Sequence, residues 1–440
     1  MGEISGSKDQ VQEGDHVIDI VEAIKLKMED KSAQVFISKV PEAIRSKHET
    51  AFTPTEVSIG PLHHGNVSSE TEEQKWRYLS ELLNRDPNLE ETLESLVKAL
   101  RKSERRIRNC YEEKSKLPSD DFVQMMLLDS CFIIELLLKF SVKGLRYRND
   151  KIFTTKGMLF DLRRDLILLE NQIPFFVLQQ VFHIIPIPPQ CTHSLNDLAA
   201  RFFNYMIPGD LEFLKERFNQ KGYHLLDLIW RSIVPTHPRE VVLQNSPPKS
   251  LDSATELRKA GIWFKKGRSH EFLLEVKFSN GVLAIPHLKI HQCTEELLVN
   301  LIALEQSHID KTQQVTSYAH LMRCLISSGE DVKLLRRRRI LGYSKDKDKE
   351  EKVAKMFQKL SEKKENFEVK DSYYTRLFEK VDEYKTNSLY AKWQKMKRGY
   401  SKTSLSVVVF VVAILLLVLT FVGVFFVALS FFLHHSLGNI

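Results

Sequence analysis

The stretch Asp121–Phe140, DFVQMMLLDSCFIIELLLKF, decides how this chain folds. Its apolar residues cover most sides of a helix, so that helix has to lie centrally with other elements packed around it. Two carboxylates, Asp129 and Glu135, interrupt the run, and a buried charge without a partner is expensive. A second stretch, Asp165–Leu178, DLILLENQIPFFVL, sets Asp165, Glu170, Asn171 and Gln172 in equally greasy surroundings. Such groups are either a catalytic constellation or a polar latch between elements.

Helical spacing predicts further helices at Thr71–Leu83, Leu89–Tyr111, Leu195–Phe218, Thr294–Gln306 and Gln314–Ser327. A short amphipathic one is expected in residues 16–30, on Val17, Ile18, Val21 and Ile24. DLRRDLILLENQ keeps the helical period up to Ile173-Pro174. The residue before proline avoids αR, so this helix is expected to end near Asn171 or Gln172. The β signal is EFLLEVKF-SNG-VLAIPHLKI, two apolar-rich runs around Asn280-Gly281, a pair that tolerates the positive φ of a hairpin turn. VPTHPREVVLQNSPPKSLDS is Pro- and Ser-rich and reads as a hinge.

The expected fold class is therefore mainly α, a helical domain with a small inserted β-hairpin near residues 271–290. Residues 1–33 form a polar segment with the short helix, and 34–345 the main domain. Residues 346–403 read as charged, basic, exposed juxtamembrane helices, 404–433 as a transmembrane helix and 434–440 as a short tail.

Composition supports a folded body: 440 residues, 43% hydrophobic and 28% charged. The net charge of +7 is unevenly spread, because residues 331–402 carry 22 Lys/Arg against 12 Asp/Glu. Cys110, Cys131, Cys191, Cys293 and Cys324 are scattered without a C-x-x-C pair, which suits a reducing compartment. No signal peptide is expected from MGEISGSKDQ. Gly6 stands where N-myristoylation at Gly2 wants Ser or Thr.

Ser404–Leu433, SLSVVVFVVAILLLVLTFVGVFFVALSFFL, carries no charge. A bilayer needs roughly 20 such residues, and a buried helix this long would need about 45 Å of protein around it. Lys392, Lys395, Lys397, Arg398 and Lys402 precede the run and no lysine or arginine follows it. The positive-inside rule then places the body in the cytosol, with the lipid bilayer as the partner of 404–433. The length mildly favours a thick membrane, the plasma membrane over the endoplasmic reticulum. Glycosylation at Asn66-Val67-Ser68 would contradict that topology.

Chemistry-bearing motifs are sparse. Asp129 and Glu135 are six residues apart, and Asp165 and Glu170 five, so on a helix neither pair shares a face. An acid–base couple would have to form between helices, and the latch reading is preferred; Glu305-Gln306 in NLIALEQ joins the same class. His63-His64 and His287, His291 and Cys293 resemble metal ligands, but Pro286 and the β pattern place the latter set on extended chain, so no metal and no cofactor is expected. P-loop, dinucleotide, zincin and hydrolase signatures are absent from the sequence. Asp346-Lys347-Asp348 sits in an alternating charge run. Arg336, Arg337, Arg338 and Arg339, with Lys333, form a basic cluster better suited to lipid headgroups or an acidic protein partner than to nucleic acid.

The phrases VSIGPLHHG, KWRYL, FVQMMLLDSCFIIELL, DLILLENQIPFFVL, ATELRKAGIWF, GVLAIPHLKI, NLIALEQ, VTSYAHLMRCLI and DVKLLRRRRIL occur in that order before the apolar run. Together they resemble the plant "domain of unknown function 247" family, also called uncharacterised protein family 0481, from about residue 34 onward. Leu62 stands where the family usually has Tyr, Ser130 where Gly is usual, and Arg339 where Gly is common. The resemblance implies a plant membrane protein with no established enzymatic activity or catalytic residues. Some grass members are linked to self-incompatibility recognition. The leading expectation is a non-enzymatic recognition or signalling scaffold with a protein partner. The alternatives are an enzyme built on Asp129, Glu135, Asp165 and Glu170, or a membrane-active pore-type protein.

Overall fold

The computed structural model describes residues 35–66, 69–207, 211–235, 250–268, 272–308, 312–343, 349–360, 373–387 and 404–437. The helix expected in 16–30, most of the Pro-rich hinge, Asp346-Lys347-Asp348 and the basic residues 392–402 lie outside them. In chain order the helices are α1 (Glu42–Arg45), α2 (Ser69–Leu83), α3 (Leu89–Asn109), α4 (Ser119–Ser141), α5 (Lys151–Thr154) and α6 (Met158–Asp165). Then come α7 (Phe175–Ile184), α8 (Leu195–Phe203), α9 (Leu211–Phe218), α10 (Leu225–Ile233) and α11 (Ala254–Lys259). After the strands follow α12 (Thr294–Ser307), α13 (Gln314–Leu325), α14 (Gly329–Arg337), α15 (Lys349–Leu360), α16 (Thr375–Asn387) and α17 (Ser404–Leu437). The protein is mainly helical, as expected.

Helix α4 is the axis of the body. Every side chain from Met125 to Lys139 is buried, and α2, α3, α7 and α8 pack around it. An apolar circumference leaves no face for water, so the helix is enclosed.

The Asn280-Gly281 turn forms as expected, both residues having positive φ (49° and 76°). It joins β2 (Lys277–Ser279) to β3 (Val282–Ile285) in antiparallel register. The sequence did not reveal β1 (Trp263–Lys266), which adds to β3 in parallel and makes the order β1-β3-β2. Beside it, β4 (Leu288–Lys289) pairs with β5 (Leu341–Gly342).

Three expectations need correction. Helix α6 stops at Asp165 rather than near Gln172. Beyond it the chain runs through i→i+3 turns, with Ile167, Leu168 and Asn171 N–H donating to Arg164, Asp165 and Leu168. Asn171 and Gln172 side chains donate to the carbonyls of Asp165, Leu166 and Leu168, which a continuing helix would need for itself. Leu195–Phe218 is two helices, separated at a segment holding Pro208 and Gly209, both helix breakers. Finally, residues read as exposed juxtamembrane helices are packed. Val353, Met356, Phe357 and Leu360 of α15 form an i, i+3, i+4, i+7 stripe buried on α12, α13 and α14. Leu377, Phe378 and Val381 do the same for α16, which lies on β2. Sparse apolar residues at that spacing make a packing face, however charged the rest of the helix is.

Helix α17 is long and apolar enough to cross a membrane, and none of Val411–Ser430 is covered by the other described residues.

Candidate functional site

Residues 55–60 form no helix or strand, yet Val57, Ser58, Ile59 and Gly60 are buried. Buried backbone N–H and C=O groups need partners, and here side chains from other elements supply them. Asp165, at the end of α6, accepts from the N–H of Thr55 (3.1 Å), Glu56 (2.6 Å) and Val57 (2.9 Å). Asn171 accepts from Ile59 N–H at 2.7 Å and donates to Val57 C=O at 2.9 Å. Lys75 of α2 donates to Ser58 C=O at 2.6 Å, and Asp129 of α4 accepts from Gly60 N–H at 2.8 Å. Lys75 also meets Asp129 at 2.7 Å and Glu72 at 2.8 Å. Gly60 has φ +74°, and a Cβ there would lie 2.6 Å from the carbonyl oxygen of Gln172.

Glu170 and Gln172 extend this system outward. Glu170 accepts from Val40 N–H at 2.8 Å, is ion-paired with Arg45, and lies 3.5 Å from His63. Burial pushes its carboxyl up, but His63, Arg45 and the Val40 amide overcome this and hold it down at about 2. Gln172 donates to Leu166 and Leu168 C=O and accepts from Leu226 N–H at the start of α10. Asn300 of α12, not singled out on sequence, accepts from Leu169 N–H and donates to Ala51 C=O, both at 2.8 Å.

Glu135 belongs to a second cluster, one face away on α4. Arg85 donates to it at 2.7 Å, and Lys139 lies 3.9 Å away. Lys139 is fully buried, pairs with Asp150 at 2.7 Å and with Glu81, and sits 3.9 Å from the ring centre of Tyr78. Burial pushes the Glu135 carboxyl up, against the opposing pull of Arg85 and Lys139. Glu305 is separate again: it accepts from Trp230 Nε1 (3.0 Å) and from the N–H of Val315 (2.8 Å) and Thr316 (2.9 Å), the first turn of α13. Gln306 is only partly buried, and among the described residues nothing hydrogen-bonds its amide.

Sequence reasoning missed Lys75, Lys139, Asp150, Asn300 and Asp331. Asp331, buried at the start of α14, accepts from Thr255 N–H at 2.8 Å and from both N–H and hydroxyl of Ser328 at 3.0 Å. Its signal was legible: SSGED is a Ser-x-x-Asp capping pattern. Nothing local marks Lys75 as buried, because Ser58 and Asp129, its buried partners, lie 17 and 54 residues away.

In the basic cluster, Arg336 pairs with Glu350 at 3.2 Å and lies over Tyr343, and Lys333 pairs with Glu330. Arg337 and Arg338 are exposed. Arg339 has φ +58°. Its N–H donates to Arg336 C=O and that of Ile340 to Leu335 C=O, the Schellman closure of α14, where glycine is the favoured residue.

The histidines do not converge. His287 Nδ1 lies 2.9 Å from Arg339 C=O, the His291 ring lies tilted 4.1 Å from that of Tyr205, and Cys293 is buried at the start of α12. Among the described residues, no three His, Cys, Asp or Glu side chains gather as a metal site requires. Surface grooves of about 570, 320 and 290 Å³ are present, and none is lined by Asp129, Glu135, Asp165, Glu170 or Glu305. Each of these carboxylates accepts hydrogen bonds from protein donors.

A helical body whose irregular N-terminal segment is held by buried charges, followed by one exposed apolar helix, defines the class. The chain belongs to DUF247, a family described as "Plant protein of unknown function", whose sequence profile matches residues 37–419. It is 32% identical over 370 residues to the Arabidopsis thaliana protein named UPF0481 protein At3g47200, covering 79% of this chain and 76% of that one. Putative UPF0481 protein At3g02645, also from Arabidopsis thaliana, is 23% identical over 524 aligned positions, covering 96% of each chain. No solved structure matches.

Proposed function

We propose that this protein is a membrane-anchored, non-enzymatic recognition scaffold whose cytosolic body binds a protein partner. The observation that carries the reading is the pairing of the buried carboxylates. Asp129, Asp165, Glu170 and Glu305 each spend their oxygens on backbone or side-chain donors from distant parts of the chain. Such groups act as a polar latch: fully paired they specify one arrangement of elements, and half-paired they destabilise it. Helix α17 is the anchor, and the lysines before it keep the body on the cytosolic side, with the plasma membrane as its site. Lys333, Arg337, Arg338 and Arg339 are the exposed members of the basic cluster and face a lipid surface or partner.

Two measurements test this. A chain ending at Lys402 leaves the membrane fraction; if it stays there, α17 is not the sole anchor. Asp129→Asn, Glu135→Gln, Asp165→Asn and Glu170→Gln each lower the unfolding midpoint of the full-length protein. A variant with wild-type stability and no cellular function would instead establish a catalytic carboxylate. Proximity labelling from the intact, anchored chain then recovers the partner.

A further inference from the structure

The outer face of the three-stranded sheet is cationic, and strand register explains its shape. Lys265 of β1 and Lys277 of β2 both pair with Ala284 of the central strand, so two lysines flank one small residue. Phe264, Leu283 and Ile285 occupy the opposite, buried face. With no large side chain at 284, a hollow of about 290 Å³ remains, lined by Lys265, Lys266, Gly267, Arg268, Lys277 and Ala284. Glu275 answers Lys277 at 2.9 Å, while among the described residues no carboxylate pairs with Lys265 or Lys266. Among the described residues, three lysines therefore face one carboxylate here. Beside the hollow, Trp263 is 49% exposed, with the guanidinium of Arg258 3.5 Å and that of Arg338 5.7 Å from its ring centre. The cationic surface thus runs on into the end of α14.

On its opposite side the sheet carries α16, the last described helix before the apolar one. Helix α16 lies on β2, with Tyr384 against Phe278 at 5.7 Å. Seventeen residue steps separate Asn387 from Ser404, which reach on the order of 60 Å when fully extended. A cytosolic leaflet is anionic, and basic groups near it each gain roughly 1 kcal/mol. An exposed Trp beside cations suits the headgroup layer, where its ring is half wet and half apolar.

We propose that the hollow between Lys265 and Lys277 binds the phosphorylated headgroup of an anionic lipid, in the membrane that α17 crosses. The lysines supply point charges to phosphate oxygens. For the source of the ligand this rests on the anchorage proposed above.

The test titrates full-length protein in detergent micelles with a fluorescent short-chain phosphatidylinositol bisphosphate, read by anisotropy, with a short-chain phosphatidylcholine as control. The bisphosphate lipid binds and the phosphatidylcholine does not. Lys265→Gln/Lys277→Gln weakens binding about tenfold or more, as expected for two lost charge-assisted contacts. Lys98→Gln/Lys102→Gln removes the same charge from the exposed face of α3, away from the sheet, and changes affinity less than about twofold. Equal losses in the two double variants, or no binding by the wild type, would overturn the site. If an inositol phosphate without acyl chains binds as tightly as the lipid, the ligand is a free phosphate ester and the lipid assignment fails. Micelles report on the hollow whether or not α17 inserts, so this result and the fractionation of the chain ending at Lys402 fail independently.

Discussion

Lys75 and Asp129 face each other at 2.7 Å with side chains 1% and 2% exposed. Burial pulls the ammonium down in pKa, but Asp129 and Glu72 more than offset it, so Lys75 stays charged. Lys75→Met leaves a buried carboxylate with one backbone donor, and the expected loss is about 3–5 kcal/mol. Lys75→Met/Asp129→Leu loses less than the two single variants added together, by roughly 1–3 kcal/mol. Denaturant unfolding of the full-length protein in detergent measures both; strict additivity would show that the pair does not act as a unit.

Asp165→Ala removes the acceptor for three consecutive amides, those of Thr55, Glu56 and Val57. Each unpaired buried group costs about 1–3 kcal/mol, and the segment they belong to has no ladder of its own to fall back on. Hydrogen exchange is the measurement. Protection is lost at residues 55–60 first, while the amides of α4 keep theirs. Loss spread evenly over the body would mean that Asp165 supports the whole fold and not this segment.

Acid sensitivity follows from Glu170. Its carboxyl is held at about 2 in the folded protein against 4.5 ordinarily, the donors from His63, Arg45 and Val40 outweighing the upward push of burial. The unfolded chain therefore takes up the proton first as pH falls. The stabilisation is complete above about pH 5 and is lost as pH drops towards 2. Arg45 is partly exposed, and solvent screening limits the effect to roughly 2 kcal/mol. Thermal midpoints between pH 7 and pH 3 should fall less steeply in Glu170→Gln than in the wild type, from a lower starting value.

Arg339 occupies the left-handed position that closes α14. A residue with a Cβ pays about 1–2 kcal/mol there, part of which glycine returns as greater freedom in the unfolded chain. Arg339→Gly is thus expected to raise stability by roughly 0.5–1 kcal/mol, read as a higher thermal midpoint. A fall would mean that the arginine side chain contributes a contact outweighing the backbone cost.

Much of this architecture is visible in the residues themselves. The enclosed helix around Asp129 and Glu135, the Asn280-Gly281 turn and the apolar helix α17 each follow from a local pattern. So does the need of Asp165, Glu170, Asn171 and Gln172 for partners. What stayed hidden depends on long-range pairing. Lys75 sits next to Trp76 in an ordinary amphipathic helix, yet the lysine is buried and the tryptophan 47% exposed. Only the arrival of Asp129 and the Ser58 carbonyl makes that inversion favourable. Strand β1 is four residues long, three of them exposed, and becomes a strand because β3 offers it an edge. The early end of α6 has the same origin, since its carbonyls are claimed by amides further along the chain.

The distant pairing also has a consequence for how the chain is made. Ala51 C=O waits for Asn300, 249 residues later, and Phe36 C=O meets His308, 272 residues later. At a synthesis rate of about 5–20 residues per second, that gap lasts roughly 10–50 s. Val57 and Ile59 find their partners sooner, on Asp165 and Asn171 within 114 residues. The earliest ordered segment is thus completed in two stages, around Val57 and Ile59 once Asn171 is out, and around Ala51 only once α12 is out.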